Sequence, residues 1–128
     1  MKRILPAVLI LLLLFTGCEA NSRNENSYQP ITQEAAKEMM DTQEVVILDV
    51  REQYEYDSGH IPGAVLLPVG TITEDTAAAM IDDLDTVVLV YCRSGNRSKT
   101  ASQALADLGY TNVYEFGGIN DWPYEVES

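Results

Sequence analysis

The chain has 128 residues, of which 20 are Asp or Glu and eight are Lys or Arg, for a formal charge of −12. That length holds a single domain, and so acidic a balance repels nucleic acid and anionic membrane surfaces. Cys18 and Cys92 are the only cysteines, too few for a disulfide framework. In chain order, Lys2 and Arg3 precede an apolar run over residues 4–15, interrupted only by Pro6. Such a run is shorter than the roughly 17–25 residues a membrane-spanning helix needs. A charged start, a short apolar core and then small residues is the layout of a secretory signal peptide.

The segment closes as Leu14-Phe15-Thr16-Gly17-Cys18. This resembles the lipobox of bacterial lipoproteins, in which the cysteine is lipidated and becomes the first mature residue. Phe15 departs from the pattern, standing where that family prefers Leu, Val or Ile. The expectation is a signal peptide over 1–17, then Cys18 as a lipidated residue opening a tether over 18–28. The protein is then extracytoplasmic and held to a membrane by its lipid. A plain signal peptide cut nearby would instead leave Cys18 as a free thiol. Cleavage before Cys18 leaves six basic against 20 acidic residues, a mature formal charge of −14. The polar stretch over residues 19–28 has almost nothing to bury, and a flexible ten-residue tether reaches roughly 15–20 Å.

Regular periodicity begins near Gln29 and marks a domain over 29–127. Thr32 is placed to cap a helix carrying Ala35, Ala36, Met39 and Met40. Val45-Val46-Ile47-Leu48 is of strand length, and Ala64-Val65-Leu66-Leu67 is another such run, stopped by Pro68. Thr73 can cap a second helix whose Ala77, Met80, Ile81 and Leu84 share one face. On this reading Met39, Met40 and Met80 fill core. Val87 to Tyr91 forms a third strand, and Ala101, Ala104, Leu105 and Leu108 line a helix that Gly109 ends. Val113-Tyr114-Glu115-Phe116 makes a short last strand. Strands that are apolar throughout are covered on both faces. Their alternation with amphipathic helices predicts an α/β fold, a mostly parallel central sheet with helices on both faces.

The chemistry concentrates where the third strand empties into Cys92-Arg93-Ser94-Gly95-Asn96-Arg97-Ser98. Ligands of parallel sheets bind at the carboxyl ends of strands, and a helical pattern begins at Ser98. Loop N–H groups and the helix dipole stabilise a negative charge on the thiol. Arg93, Arg97 and Lys99 are half of the mature chain's basic residues, and they lie beside this one cysteine. Settings of this kind lower a cysteine pKa. A reactive thiolate, or a carrier of an anionic adduct, accounts for this clustering better than a small buried hydrophobe does.

With the loop in place, three motifs together resemble the rhodanese (sulfurtransferase) family in its single-domain form. They are Leu48-Asp49-Val50-Arg51-Glu52, running through Glu55-Tyr56 to Gly59-His60-Ile61-Pro62-Gly63-Ala64, then the Cys92 loop, then Phe116-Gly117-Gly118-Ile119-Asn120-Asp121-Trp122. The resemblance implies that Cys92 is the catalytic residue and takes up sulfane sulfur as a persulfide. Arg93, Ser94, Gly95, Asn96, Arg97 and Ser98 then form the cradle that binds the substrate. A small sulfur-containing anion such as thiosulfate is the implied donor, oriented by Arg93 and above all Arg97. Cyanide or a thiol, including a protein thiol, is the implied acceptor.

The same resemblance gives His60 a structural place in its loop and makes Asp49 and Arg51 a structural pair. It sets Trp122 and the Gly117-Gly118 turn near the active loop. One cysteine and one histidine do not make a metal site, and no cofactor is called for. A cysteine phosphatase would have five residues between its cysteine and arginine, whereas four separate Cys92 from Arg97. The remaining alternative is a membrane-tethered relay or binding module that acts on a protein partner.

Overall fold

The computed structural model describes residues 26–128. Cys18 and the proposed signal and lipid segment therefore lie outside the described residues. Five strands form one sheet: β1 (Gln29–Pro30), β2 (Val46–Asp49), β3 (Val65–Leu66), β4 (Val87–Cys92) and β5 (Asn112–Gly118). Their spatial order is β1-β5-β4-β2-β3, and every pairing is parallel. Four α-helices alternate with them: α1 (Gln33–Thr42), α2 (Gln53–Ser58), α3 (Glu74–Met80) and α4 (Asn96–Asp107).

β4 is the central strand, and its side chains divide between two cores. Val88, Val90 and Cys92 face Ala77 and Ile81 from the α3 region and Ala101 and Leu105 of α4. Leu89 and Tyr91 face Ala36 of α1, Ile61, Phe116 and Trp122. Successive strand residues point to opposite faces, so an unbroken aliphatic run is what a strand covered on both sides requires. This is the expected α/β sheet with helices on both faces.

Local chemistry fixes the helix starts. Thr32 Oγ1 accepts the Ala35 N–H at 3.0 Å, and Thr73 Oγ1 accepts the Thr76 N–H at 3.1 Å. Both caps agree with the sequence expectation. The second helix is shorter than its apolar spacing suggests. It ends at Met80, leaving Met80 38% and Leu84 55% exposed, so neither fills core. Asp82 and Asp83 follow, where acidic side chains oppose the helix dipole. Asp83 and Thr86 then close a turn, the Thr86 N–H donating to Asp83 O at 3.1 Å. Met39 and Met40 do pack against the α1-side core.

Candidate active site

Cys92 is the last residue of β4 and only 1% exposed. The pairing of β4 with β5 shifts register between Val90 and Cys92, which sets Cys92 opposite Gly118. The chain then turns through Arg93 and Ser94 to Gly95, which adopts φ 112° immediately before α4. A side chain there would be strained, and glycine lets the backbone curl back under the sulfur. The Gly95 N–H donates to Cys92 Sγ at 3.1 Å, and Ser98 Oγ, fully buried on the first turn of α4, lies 3.4 Å from the same sulfur. α4 thus starts at Asn96, two residues before the expected Ser98, and Ser98 sits beneath the sulfur rather than at the mouth of the loop.

Burial pushes the Cys92 thiol up. The Ser98 hydroxyl and the backbone N–H groups of Ser98, Gly95 and Ser94 together outweigh it, and the pKa falls below its ordinary value. The sequence reading credited loop N–H groups and the helix dipole, with the arginines adding to them; the lowering comes chiefly from the loop's own hydrogen bonds. Arg93 is exposed. Arg97 is held in a two-pronged pair with Glu55 of α2, Nη1 to Oε1 at 2.8 Å and Nη2 to Oε2 at 3.0 Å. The Arg97 guanidinium holds the Glu55 carboxyl down at about 2, despite the opposing cost of burial. Arg97 itself is raised chiefly by Glu55, with Cys92 a lesser contributor. Ser94 and Asn96 are exposed on the loop, while Gly95 is buried with the sulfur.

Two further groups shape the loop. A Cβ on Gly118 would stand 2.1 Å from the Arg93 carbonyl oxygen, so β5 can lie against the loop backbone only with glycine there. The Asn120 N–H donates to that same carbonyl at 3.1 Å. The Gly117-Gly118 turn therefore packs near the active loop, as expected. Trp122 does not follow it. Its ring packs on Phe116 and Tyr124 within the α1-side core, whereas Cys92 belongs to the other core.

Behind the loop, Asp49 and Arg51 form the expected buried pair, Nη2 to Oδ2 at 2.7 Å, and Arg51 also donates to Gly59 O at 2.7 Å. The Tyr91 hydroxyl donates to Asp49 Oδ2 at 2.6 Å and accepts the Ile61 N–H at 3.1 Å. The residue before Cys92 is thereby tied to the β2 end and to the Gly59–Ala64 loop. His60 stacks on Tyr56 with ring centroids 3.8 Å apart, and its backbone pairs with Glu127, in keeping with a structural role.

Two residues of the site escaped the sequence reading, Glu55 and Glu115. Glu115 is 4% exposed on β5, with Oε2 2.5 Å from Ser98 Oγ. An acid inside an otherwise apolar strand was the available signal. Among the described residues, no three His, Cys, Asp or Glu side chains converge as a metal site.

A family model, the Rhodanese-like domain, matches residues 32–124. The chain belongs to the rhodanese family. Thiosulfate sulfurtransferase PspE of Escherichia coli is 39% identical over 74 residues, covering 58% of this chain and 70% of that protein. YrkF of Bacillus subtilis, by name a candidate sulfur carrier protein, is 35% identical over 113 residues. That match covers 87% of this chain and 60% of YrkF, so the chain spans less than two thirds of that relative. Among solved structures, an Escherichia coli rhodanese with anions superposes with a TM-score of 0.62 at 29% identity, covering 66% of this chain and 99% of the other. This rhodanese thus has single-domain sulfurtransferase relatives and the fold that goes with them.

Proposed function

We propose that this rhodanese is a sulfurtransferase that carries sulfane sulfur through a persulfide on Cys92. The donor is a small sulfur-containing anion such as thiosulfate, and the acceptor is cyanide or a thiol. The observation that carries this reading is the sulfur of Cys92 under the N–H of Gly95 and beside the Ser98 hydroxyl, its pKa lowered despite burial. A thiolate there attacks the outer sulfur of thiosulfate; the S–S bond breaks and its electron pair leaves with sulfite. The resulting Cys92–S–S⁻ is an anion of the same sign as the thiolate, so the same donors stabilise it. Cyanide then takes the outer sulfur as thiocyanate and restores the thiolate. Two displacements through one covalent intermediate give ping-pong kinetics.

Arg93, Ser94, Asn96 and Arg97 form the mouth of the cradle on this reading, with Gly95 and Ser98 holding the sulfur from below. The protein is placed outside the cytoplasm and tethered through a lipid on Cys18, where a protein thiol is an available acceptor. Four residues between Cys92 and Arg97 make a loop suited to one sulfur atom rather than a tetrahedral phosphate. The test is to assay the full chain with thiosulfate and cyanide beside a generic aryl phosphate. Sulfur transfer should dominate with ping-pong kinetics; phosphatase turnover equal to it overturns the reading.

A further inference from the structure

Beneath the sulfur, three groups form a buried line: Cys92 Sγ to Ser98 Oγ at 3.4 Å, and Ser98 Oγ to Glu115 Oε2 at 2.5 Å. Cys92, Ser98 and Glu115 are 1%, 0% and 4% exposed, so a proton leaving the thiol has no direct path to water. Ser98 Oγ carries one proton and two lone pairs. Gly95 O, at 3.0 Å, can only accept from it, as can Gly117 O at 3.5 Å. If Ser98 donates to a Cys92 thiolate, its short contact with Glu115 needs a second proton, and that proton can only be on Glu115. A separation of 2.5 Å is the length of a charge-assisted O–H···O⁻ bond, the Ser98 hydroxyl donating to the Glu115 carboxylate oxygen as it does before any transfer.

We propose that Glu115 is the internal proton acceptor for Cys92, reached through Ser98. The Cys92 S–H bond breaks as Ser98 Oγ takes its proton, and the proton Ser98 already held passes to Glu115 Oε2. The three groups carry one negative charge before and after; it moves from the carboxylate to the sulfur. No electrons change hands and no co-reactant is needed. Glu115 keeps the proton through the sulfur-transfer cycle and returns it when Cys92 rests as a thiol. Glu115 is a positioning residue in this scheme, since it meets the reacting sulfur only through Ser98. Its place in the reaction rests on the persulfide reading above, but its effect on thiol ionisation does not.

Replacing Glu115 with Gln gives a sign that separates the relay from simple charge. Oε2 also accepts the Gly117 N–H at 3.0 Å, so Gln must seat its carbonyl oxygen there and not its NH₂ group. Ser98 then donates permanently to Gln and can no longer donate to the thiolate. Glu115→Gln should therefore raise the Cys92 pKa, although deleting a neighbouring negative charge would by itself lower it. The other charges on the loop and the start of α4 are Arg97, bound to Glu55, and the exposed Arg93 and Lys99. β1 pairs with β5 through the uncharged Gln29 and Pro30, and from α1 the uncharged Gln33 donates to Phe116 O and Gly118 O.

The experiment follows iodoacetamide alkylation of the Cys92 peptide against pH in the full chain, resolved from Cys18 by mass. The expected midpoint for Glu115→Gln is about one unit higher, a roughly tenfold loss of thiolate below it. In a Ser98→Ala background Glu115→Gln should no longer raise the midpoint, because the link is already cut and only the charge effect is left. An unchanged or lower midpoint in Glu115→Gln alone, or a rise of the same size in the Ser98→Ala background, overturns the relay. In the parent chain with Cys92 ionised, infrared spectra should show a protonated-carboxyl band that Glu115→Gln lacks. Absence of that band also overturns it. If the midpoint rises as expected while thiosulfate leaves Cys92 unmodified, the relay stands and the sulfurtransferase reading fails.

Discussion

At Gly118 a Cβ would stand 2.1 Å from Arg93 O, 2.4 Å from Arg93 C and 2.6 Å from Ser94 Cα, all backbone atoms that no rotamer change can move aside. Gly118→Ala should therefore push the Cys92 loop off β5. Overpacking of this kind costs about 1–3 kcal/mol, read as a lower urea midpoint, with slower Cys92 alkylation as the loop N–H groups lose their aim. Unchanged stability and reactivity would mean the loop is not seated on β5 as described. At this scale the sequence was legible wherever a residue type carries its own chemistry. Cys92 stood out by type and spacing, and the family resemblance set Gly95 and the Gly117-Gly118 turn beside it. The partner of Arg97 was not legible, because nothing local reveals that Glu55, 42 positions away, binds it. Ser98 and Glu115 were obscure for the same reason, since their meeting depends on β5 lying beside β4 with α4 above the pair.

Among the elements, α2 and β1 were missed and α3 was drawn too long. α2 has six residues and no apolar stripe; it forms because the Glu55 carboxylate accepts the Glu52 N–H at 3.0 Å and because Arg97 holds it from the other side. β1 has two residues, and parallel pairing with β5 alone defines it. Both are products of tertiary contact, which hydrophobic period does not report. The Glu55–Arg97 pair ties α2 to the active loop and makes a pH prediction. The Glu55 carboxyl sits at about 2 in the fold, against ~4.3 for an unfolded glutamate. Its contribution is therefore complete above about pH 5 and is lost as pH falls through the folded value. Parent and Glu55→Gln should differ in urea midpoint near pH 7, with the parent the more stable, and converge toward pH 2. A gap independent of pH would show that the charge of the pair contributes nothing.

For the whole molecule, the alternation of apolar runs and amphipathic helices sufficed to place Cys92 at the carboxyl edge of a parallel sheet. The order β1-β5-β4-β2-β3 was not legible, because strands of similar aliphatic character do not encode which neighbour each one takes. The acidic charge and the Gly17-Cys18 junction bear on where the molecule works. Lipidation at Cys18 predicts that Cys18→Ser leaves the precursor unprocessed, or releases the protein from membranes if another protease cuts it. Processing and membrane retention like the parent's would remove the anchor from the account.

If Cys92 carries sulfur, peptide mass spectrometry after incubation of the full chain with thiosulfate will show it. One added sulfur mass is expected on the peptide containing Cys92, removed by cyanide, with both the mass shift and turnover abolished in Cys92→Ser. Sulfur transfer that continues undiminished in Cys92→Ser, or a parent Cys92 that stays unmodified, would contradict it.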